Sequence, residues 1–151
     1  MEYNDQVKRF NYAKDYANEK HEGQLRLGGE RFFIHPLRVC QRVKTILQQT
    51  IAILHDTVED TDATLEEIEK KFGKEVADGV DAMTHRVGES YHDYITRVLT
   101  NPDAVAVKIA DICDNLNDDP SQNAIKKGLG GLARLLKFDG ELIINYEKKE
   151  N

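Results

Sequence analysis

Apolar side chains return at three- and four-residue steps through most of this chain, and no run alternates apolar with polar as a half-buried strand does. Val7, Phe10, Ala13 and Ala17 set a first helix from about Asp5 to Lys20, followed by a glycine-rich loop from Gly23 to Glu30. Ile34, Leu37, Cys40, Val43 and Leu47 stripe a second helix. Thr50 is a suitable cap for a third, striped by Ile51, Leu54 and Val58. Thr64-Leu65-Glu66-Glu67 reads as a capping box opening a helix through Ile68 and Phe72. Gly73 ends it, and a further segment runs through Val76, Val80 and Met83 to about Thr84. Ser90 opens another helix, with Tyr91, Ile95, Val98 and Leu99 on its apolar face. Asn101-Pro102 starts the next, along Val105, Ile109, Ile112 and Leu116, which stops near Asp119-Pro120. Gly128, Gly130 and Gly131 interrupt the last segment, although Leu129, Leu132, Leu136 and Ile143 support a final helix ending in a charged tail. These spacings predict one all-α domain over residues 1–151, with about seven or eight helices.

The stretch Ile53-Leu54-His55-Asp56-Thr57-Val58-Glu59-Asp60-Thr61 sets four ionisable groups beside an apolar stripe. Such groups must be paired, solvated in a cleft, or bound to a cation. Two other segments interrupt apolar patterns in the same way: Ile34-His35-Pro36-Leu37 upstream and Ile109-Ala110-Asp111 downstream. Together, His35, His55, Asp56 and Asp111 form a nitrogen and oxygen donor set suited to Mn, Fe, Co or Zn. Four protein ligands around a six-coordinate ion leave room for water and a substrate oxygen, the geometry of phosphoester or pyrophosphate hydrolysis. Glu59 lies one turn beyond His55 and projects over the same face if the helix persists, where it orients or deprotonates water. Asp60 is related to Asp56 by the same step, and Asn115 shares a face with Asp111.

The formal charge of −6 argues against a general nucleic-acid binder, but it leaves a small polyanion open as substrate because Arg26, Arg31, Arg38, Arg42 and Lys44 cluster early. No apolar run approaches the roughly 18 residues needed to span a bilayer, and Met1 to Asp5 carries no secretory pattern. Cys40 and Cys113 have no zinc-cluster or disulfide spacing and read as reduced thiols of a cytoplasmic protein. His21 reads as a structural hydrogen-bonding residue. His85 and His92 fall in a polar loop and a helix start, not in a second metal site.

Three blocks resemble the HD phosphohydrolase superfamily, and more closely the hydrolase domain of the RelA/SpoT alarmone enzymes: His21-Glu22-Gly23-Gln24-Leu25-Arg26 leading to His35-Pro36-Leu37, then His55 to Thr61, and Val107-Lys108-Ile109-Ala110-Asp111. The resemblance implies a helical HD-domain bundle in which His35, His55, Asp56 and Asp111 bind one Mn ion. It makes Glu59 and Asp60 the catalytic acidic pair, Arg26 a nucleobase contact and Asn115 a contact near the ribose. The reaction implied is removal of the 3′-pyrophosphate from guanosine tetra- or pentaphosphate by a stand-alone small hydrolase, with a small nucleotide as partner and neither nucleic acid nor membrane. Arg26-Leu27-Gly28 lacks a lysine that family members often carry there, and Ile112-Cys113-Asp114 replaces basic, aromatic or histidine residues. Guanine and adenine alarmones both stay open, as does oligomeric state. A general HD phosphatase acting on nucleoside monophosphates and a non-catalytic nucleotide-binding module are the competing readings.

Overall fold

The computed structural model describes the backbone of residues 1–150 and the side chains of residues 1–138. Among the described residues there are nine helices: α1 (Tyr3–Lys20), α2 (Ile34–Cys40), α3 (Ile46–Leu54), α4 (Thr57–Asp60), α5 (Leu65–Phe72), α6 (Lys74–Met83), α7 (Tyr91–Val98), α8 (Pro102–Leu116) and α9 (Gln122–Glu150). The only extended pairing among them is an isolated bridge, Leu25 to Arg31, which closes the glycine-rich loop. The fold is all-α, as the periodicity predicts.

At the centre lies α3, packed on α1, α2, α6 and α8. Ile51, Ala52, Ile53 and Leu54 are fully buried, so the second half of this helix is apolar because it has no solvent face, while Gln48 and Gln49 nearer its start stay partly exposed. Truncating Ile51 to alanine there would cost about 2–5 kcal/mol. Val39, Ile68, Phe72, Val76, Val80, Ile95, Val98 and Val105 complete the core around it.

Three boundaries differ from the sequence expectation. The stripe from Ile34 to Leu47 is two helices: α2 stops at Cys40 and α3 begins at Ile46. The cap of α3 is Thr45, whose hydroxyl accepts from the Gln48 N–H while the Gln48 side chain accepts in return from the Thr45 N–H. Thr50 is interior, and its hydroxyl donates to the Ile46 carbonyl at 2.7 Å. Secondly, α3 does not carry through Glu59: a turn at His55 and Asp56 separates it from the single turn of α4. Thirdly, α9 runs unbroken through its glycines. A Cβ on Gly128 would lie 3.2 Å from Leu116 and one on Gly131 would lie 2.6 Å from the Tyr91 hydroxyl, so these glycines permit close helix packing. Ile143 lies outside the residues whose side chains are described.

The other cap positions match, although the reciprocal Glu67 side-chain bond of the expected capping box is absent among the described residues. Thr64 accepts from the Glu67 N–H, Ser90 from Asp93 and Asn101 from Ala104. Gly73 takes φ 92° between α5 and α6, a conformation open to glycine at little cost. No helix among the described residues is long and apolar enough to cross a membrane.

Candidate metal centre and cleft

The turn that ends α3 exposes carbonyls without helical partners, and one of them orients His55. Its Nδ1–H donates to the Ala52 carbonyl at 2.6 Å. That bond leaves Nε2 as the lone-pair nitrogen. Nε2 is buried without a hydrogen-bond partner, 3.1 Å from Asp56 Oδ2 and 3.5 Å from Asp111 Oδ1. A lone pair aimed at two carboxylates is repulsive unless positive charge lies between them. Burial alone would lower the His55 pKa, but Asp56 and Asp111 outweigh it and hold the imidazole well above its usual range. The pocket therefore demands a cation at this nitrogen, whether a proton or a metal ion.

His35, near the start of α2, is oriented from behind. Its Nδ1 donates to Asp114 Oδ2 at 2.7 Å, and Asp114 accepts from Arg38 Nε at 2.9 Å. Arg38 in turn pairs with Glu30 at 2.9 Å. Burial would raise the Asp114 pKa, but Arg38 and His35 keep it below the ordinary carboxylate value. The ring's other nitrogen, Nε2, faces the same point as His55, at 3.0 Å from Asp111 Oδ1 and 3.7 Å from Asp56 Oδ2. A carboxylate behind a histidine is the arrangement that fixes tautomer and ring angle in metal centres.

Asp111 arrives from α8 with neighbours three and four residues away on the same face. Lys108 Nζ donates to its Oδ2 at 2.8 Å, and Asn115 Nδ2 donates to its Oδ1 at 3.0 Å. Desolvation opposes its charge, yet Lys108, His35 and His55 draw its pKa well down. Ligand atoms of His35, His55 and Asp111 all lie within 4.8 Å of one another. Asp56 lies beside both histidines at the distances above but outside that mutual grouping, and the His35–His55–Asp111 cluster fits a divalent ion.

Above this floor opens a cleft of about 750 Å³. Glu59 stands at its edge, on the exposed side of α4, and its carboxylate accepts from the His85 backbone N–H. Desolvation and the charges of Asp56 and Asp60 raise its pKa. Asp60 is raised for similar reasons, by desolvation and Asp56. The His85 loop is fastened by Arg97, which binds Glu89 at 2.6 and 2.9 Å and the Thr84 carbonyl at 2.6 Å. Across the cleft, Arg26 donates to Asp118 at 2.8 Å and to Asn115 Oδ1 at 3.1 Å.

Asp114, Arg38 and Lys108 escaped the sequence reading. Ile112-Cys113-Asp114 looked like a loss of positive charge beside the substrate. In the fold, however, Asp114 is buried behind His35 and neutralised by Arg38. Lys108 brings positive charge to the cleft: desolvation would lower its pKa, but Asp111 and the neighbouring tyrosine Tyr94 raise it, so it stays charged. The available signal was the step of three that places Lys108 and Asp114 on either side of Asp111 along α8. His21 is structural as expected, bonded to Gln24 at 2.8 Å and packed on Phe32. His85 stacks on Tyr94 and His92 lies against Arg134, both apart from the His35–His55–Asp111 cluster. Cys40 and Cys113 are free thiols, and burial pushes Cys40 up to about 12.

A helical bundle that gathers two imidazoles and two carboxylates at the floor of an open cleft defines a class of metal-centre proteins. The HD domain family matches residues 13–91, just over half of the chain, and the chain belongs to that family. Among curated relatives, a guanosine-3′,5′-bis(diphosphate) 3′-pyrophosphohydrolase of Aquifex aeolicus is 38% identical over 117 residues, 69% of this chain and 17% of the relative. The bifunctional (p)ppGpp synthase/hydrolase SpoT of Escherichia coli is 32% identical over 127 residues, 74% of this chain and 18% of that protein. The chain thus spans less than a fifth of the length of these relatives. A solved structure of a metazoan SpoT orthologue, described as hydrolysing ppGpp with a role in starvation responses, superposes with a TM-score of 0.68. It is 28% identical, and the match covers 87% of this chain and 92% of that one.

Proposed function

We propose that this chain is a Mn-dependent nucleotide pyrophosphohydrolase that removes the 3′-pyrophosphate from (p)ppGpp or a related alarmone, giving GDP or GTP and pyrophosphate. The observation that carries the reading is the buried, unpartnered Nε2 of His55, facing Asp56 and Asp111 beside the Nε2 of His35. His35, His55, Asp56 and Asp111 are the residues that would hold the ion. When bound, the ion supplies Lewis acidity that polarises a phosphoryl oxygen and makes water easier to deprotonate.

The chain's own groups do the rest. Glu59 and Asp60, both raised in pKa, stand closer to neutral pH than ordinary carboxylates and take the proton from the attacking water. The His85 N–H fixes where the Glu59 carboxylate sits, which matters for in-line attack. Lys108 and Arg26 offset repulsion between these acids and the substrate phosphates, while Asn115 joins Arg26 to Asp111 and presents its amide near the sugar. Arg26 contacts the base. Two free thiols agree with a cytoplasmic setting.

The test is a metal-supplemented panel of ppGpp, pppGpp, ppApp and nucleoside monophosphates with product identification, EDTA-treated protein being the control. Pyrophosphate release that depends on added Mn is expected. Orthophosphate as the sole product would transfer the assignment to a general phosphatase, and nucleotide binding with no turnover would indicate a binding module.

A further inference from the structure

A second cavity, of about 360 Å³, lies between α7 and α9 and does not include the metal centre. Its volume is that of a small-ligand site. Tyr91 and Ile95 of α7 and Gly130 and Gly131 of α9 line it with mostly apolar surface. A Cβ on Gly130 would meet nothing within 4 Å, so the missing side chain is part of the space.

Cations stand at both ends, and no carboxylate lines the cavity. Lys126 and Lys127 lie one turn before the glycines and Arg134 one turn after, spaced about 11 Å along the helix at 1.5 Å per residue. None of the three forms an ion pair among the described residues. Arg134 donates to the His92 carbonyl at 2.8 Å and the Thr96 hydroxyl at 2.7 Å, which fixes the guanidinium without neutralising it. Lys127 rests 5.9 Å from the Tyr91 ring centre. Three cations with no ion pair among the described residues, set around an apolar floor, complement an anion with a flat apolar part.

We propose that this groove is a second, non-catalytic site for a small organic phosphate bearing a planar ring, of the mononucleotide class. The ring lies over Gly130 and Ile95, and the phosphate is bound by Arg134 or by the two lysines. Tyr91 and Lys127 also line the cavity that continues from the catalytic cleft past Lys108 and Asn115, so an occupant of the groove touches that cleft's outer wall.

Titration of the full chain with AMP, GDP and inorganic phosphate, followed by amide NMR in EDTA, tests this. Saturable shifts at Gly130, Gly131 and Ile95 are expected at millimolar AMP or GDP, with phosphate alone weaker. Gly130→Leu enters the space from a Cβ that meets nothing within 4 Å and favours helix, so it should fold normally and weaken those shifts by roughly tenfold or more. Arg134→Gln should weaken them as well. Absence of saturable shifts at these residues, shifts unchanged in Gly130→Leu, or phosphate binding as tightly as AMP would each overturn the proposal. Metal binding and hydrolysis in Gly130→Leu should match the parent, so the outcome is separate from that of the catalytic reading.

Discussion

His55 and Glu59 are near neighbours in sequence, but they are anchored in different ways. The His55 ring is buried at the fully buried end of a core helix, and a backbone carbonyl fixes its tautomer. Glu59 is exposed on a single helical turn, and its side-chain hydrogen bond comes from a loop distant in sequence. The floor of the cleft is therefore set by core packing, whereas the rim is set by the loop from Thr84 to Ser90. Charge follows the same division. The floor is compensated by Lys108, Arg38 and the two histidines, while the two rim acids are raised by desolvation and then by neighbouring negative charge. Damage to the floor should cost the ion, and damage to the rim should cost turnover alone.

The largest effect should come from the floor. His55→Ala removes a proposed ligand and exposes two facing carboxylates to each other, so metal titration should show binding so weakened that only excess metal fills the site, and hydrolysis should fall on the order of a thousandfold or more. Glu59→Gln should bind metal like the parent while kcat falls about 10²- to 10⁴-fold; equal loss of metal would erase the distinction between floor and rim. Asp114→Asn should lie between the two, with metal affinity reduced roughly 10- to 100-fold and kcat recovering at saturating metal.

Smaller effects probe the rim itself. Glu89→Gln loosens the loop that positions Glu59, and kcat should drop by about tenfold or less with metal affinity unchanged. The acidity dependence separates the two glutamates. Arg97 holds Glu89 down to about 2, so its contribution to loop order is complete above the ordinary glutamate value of 4.5 and fades only as pH falls through about 2. Glu59 is raised, so it protonates first as pH falls, and kcat/KM should decline from above 4.5 while amide exchange still reports an ordered loop. At the far end of the scale, Thr45→Ala should cost about 1 kcal/mol in denaturant unfolding and leave metal binding and turnover alone.

Local signals revealed much of this design. The stripes through Ile51, Leu54, Ile68 and Phe72, and the caps Thr64, Ser90 and Asn101, are short-range features that tertiary packing reinforces. His35, His55, Asp56 and Asp111 stood out because each interrupts an apolar pattern that offers no other use for it. The turn after Leu54 was hidden because Thr57, Val58 and Glu59 continue the helical period without any breaker. Thr45 escaped because the stripe from Ile34 to Leu47 fits one helix, although Thr45-Ile46-Leu47-Gln48 carries the cap signature. The glycines of α9 suggested a break, and only the packing of Leu116, Ile112 and Tyr91 against them explains why the helix continues. Asp114 could not be assigned from sequence because its partner His35 lies 79 residues away.

The central claim is that one divalent ion binds where the Nε2 atoms of His35 and His55 meet Asp56 and Asp111. Pulsed electron paramagnetic resonance of Mn2+ added to the purified chain tests it most directly. One tightly bound ion per chain with two imidazole nitrogen couplings is predicted, one of them lost in either His35→Ala or His55→Ala under excess metal. An ion with no nitrogen coupling, or couplings unchanged in both variants, would contradict the account.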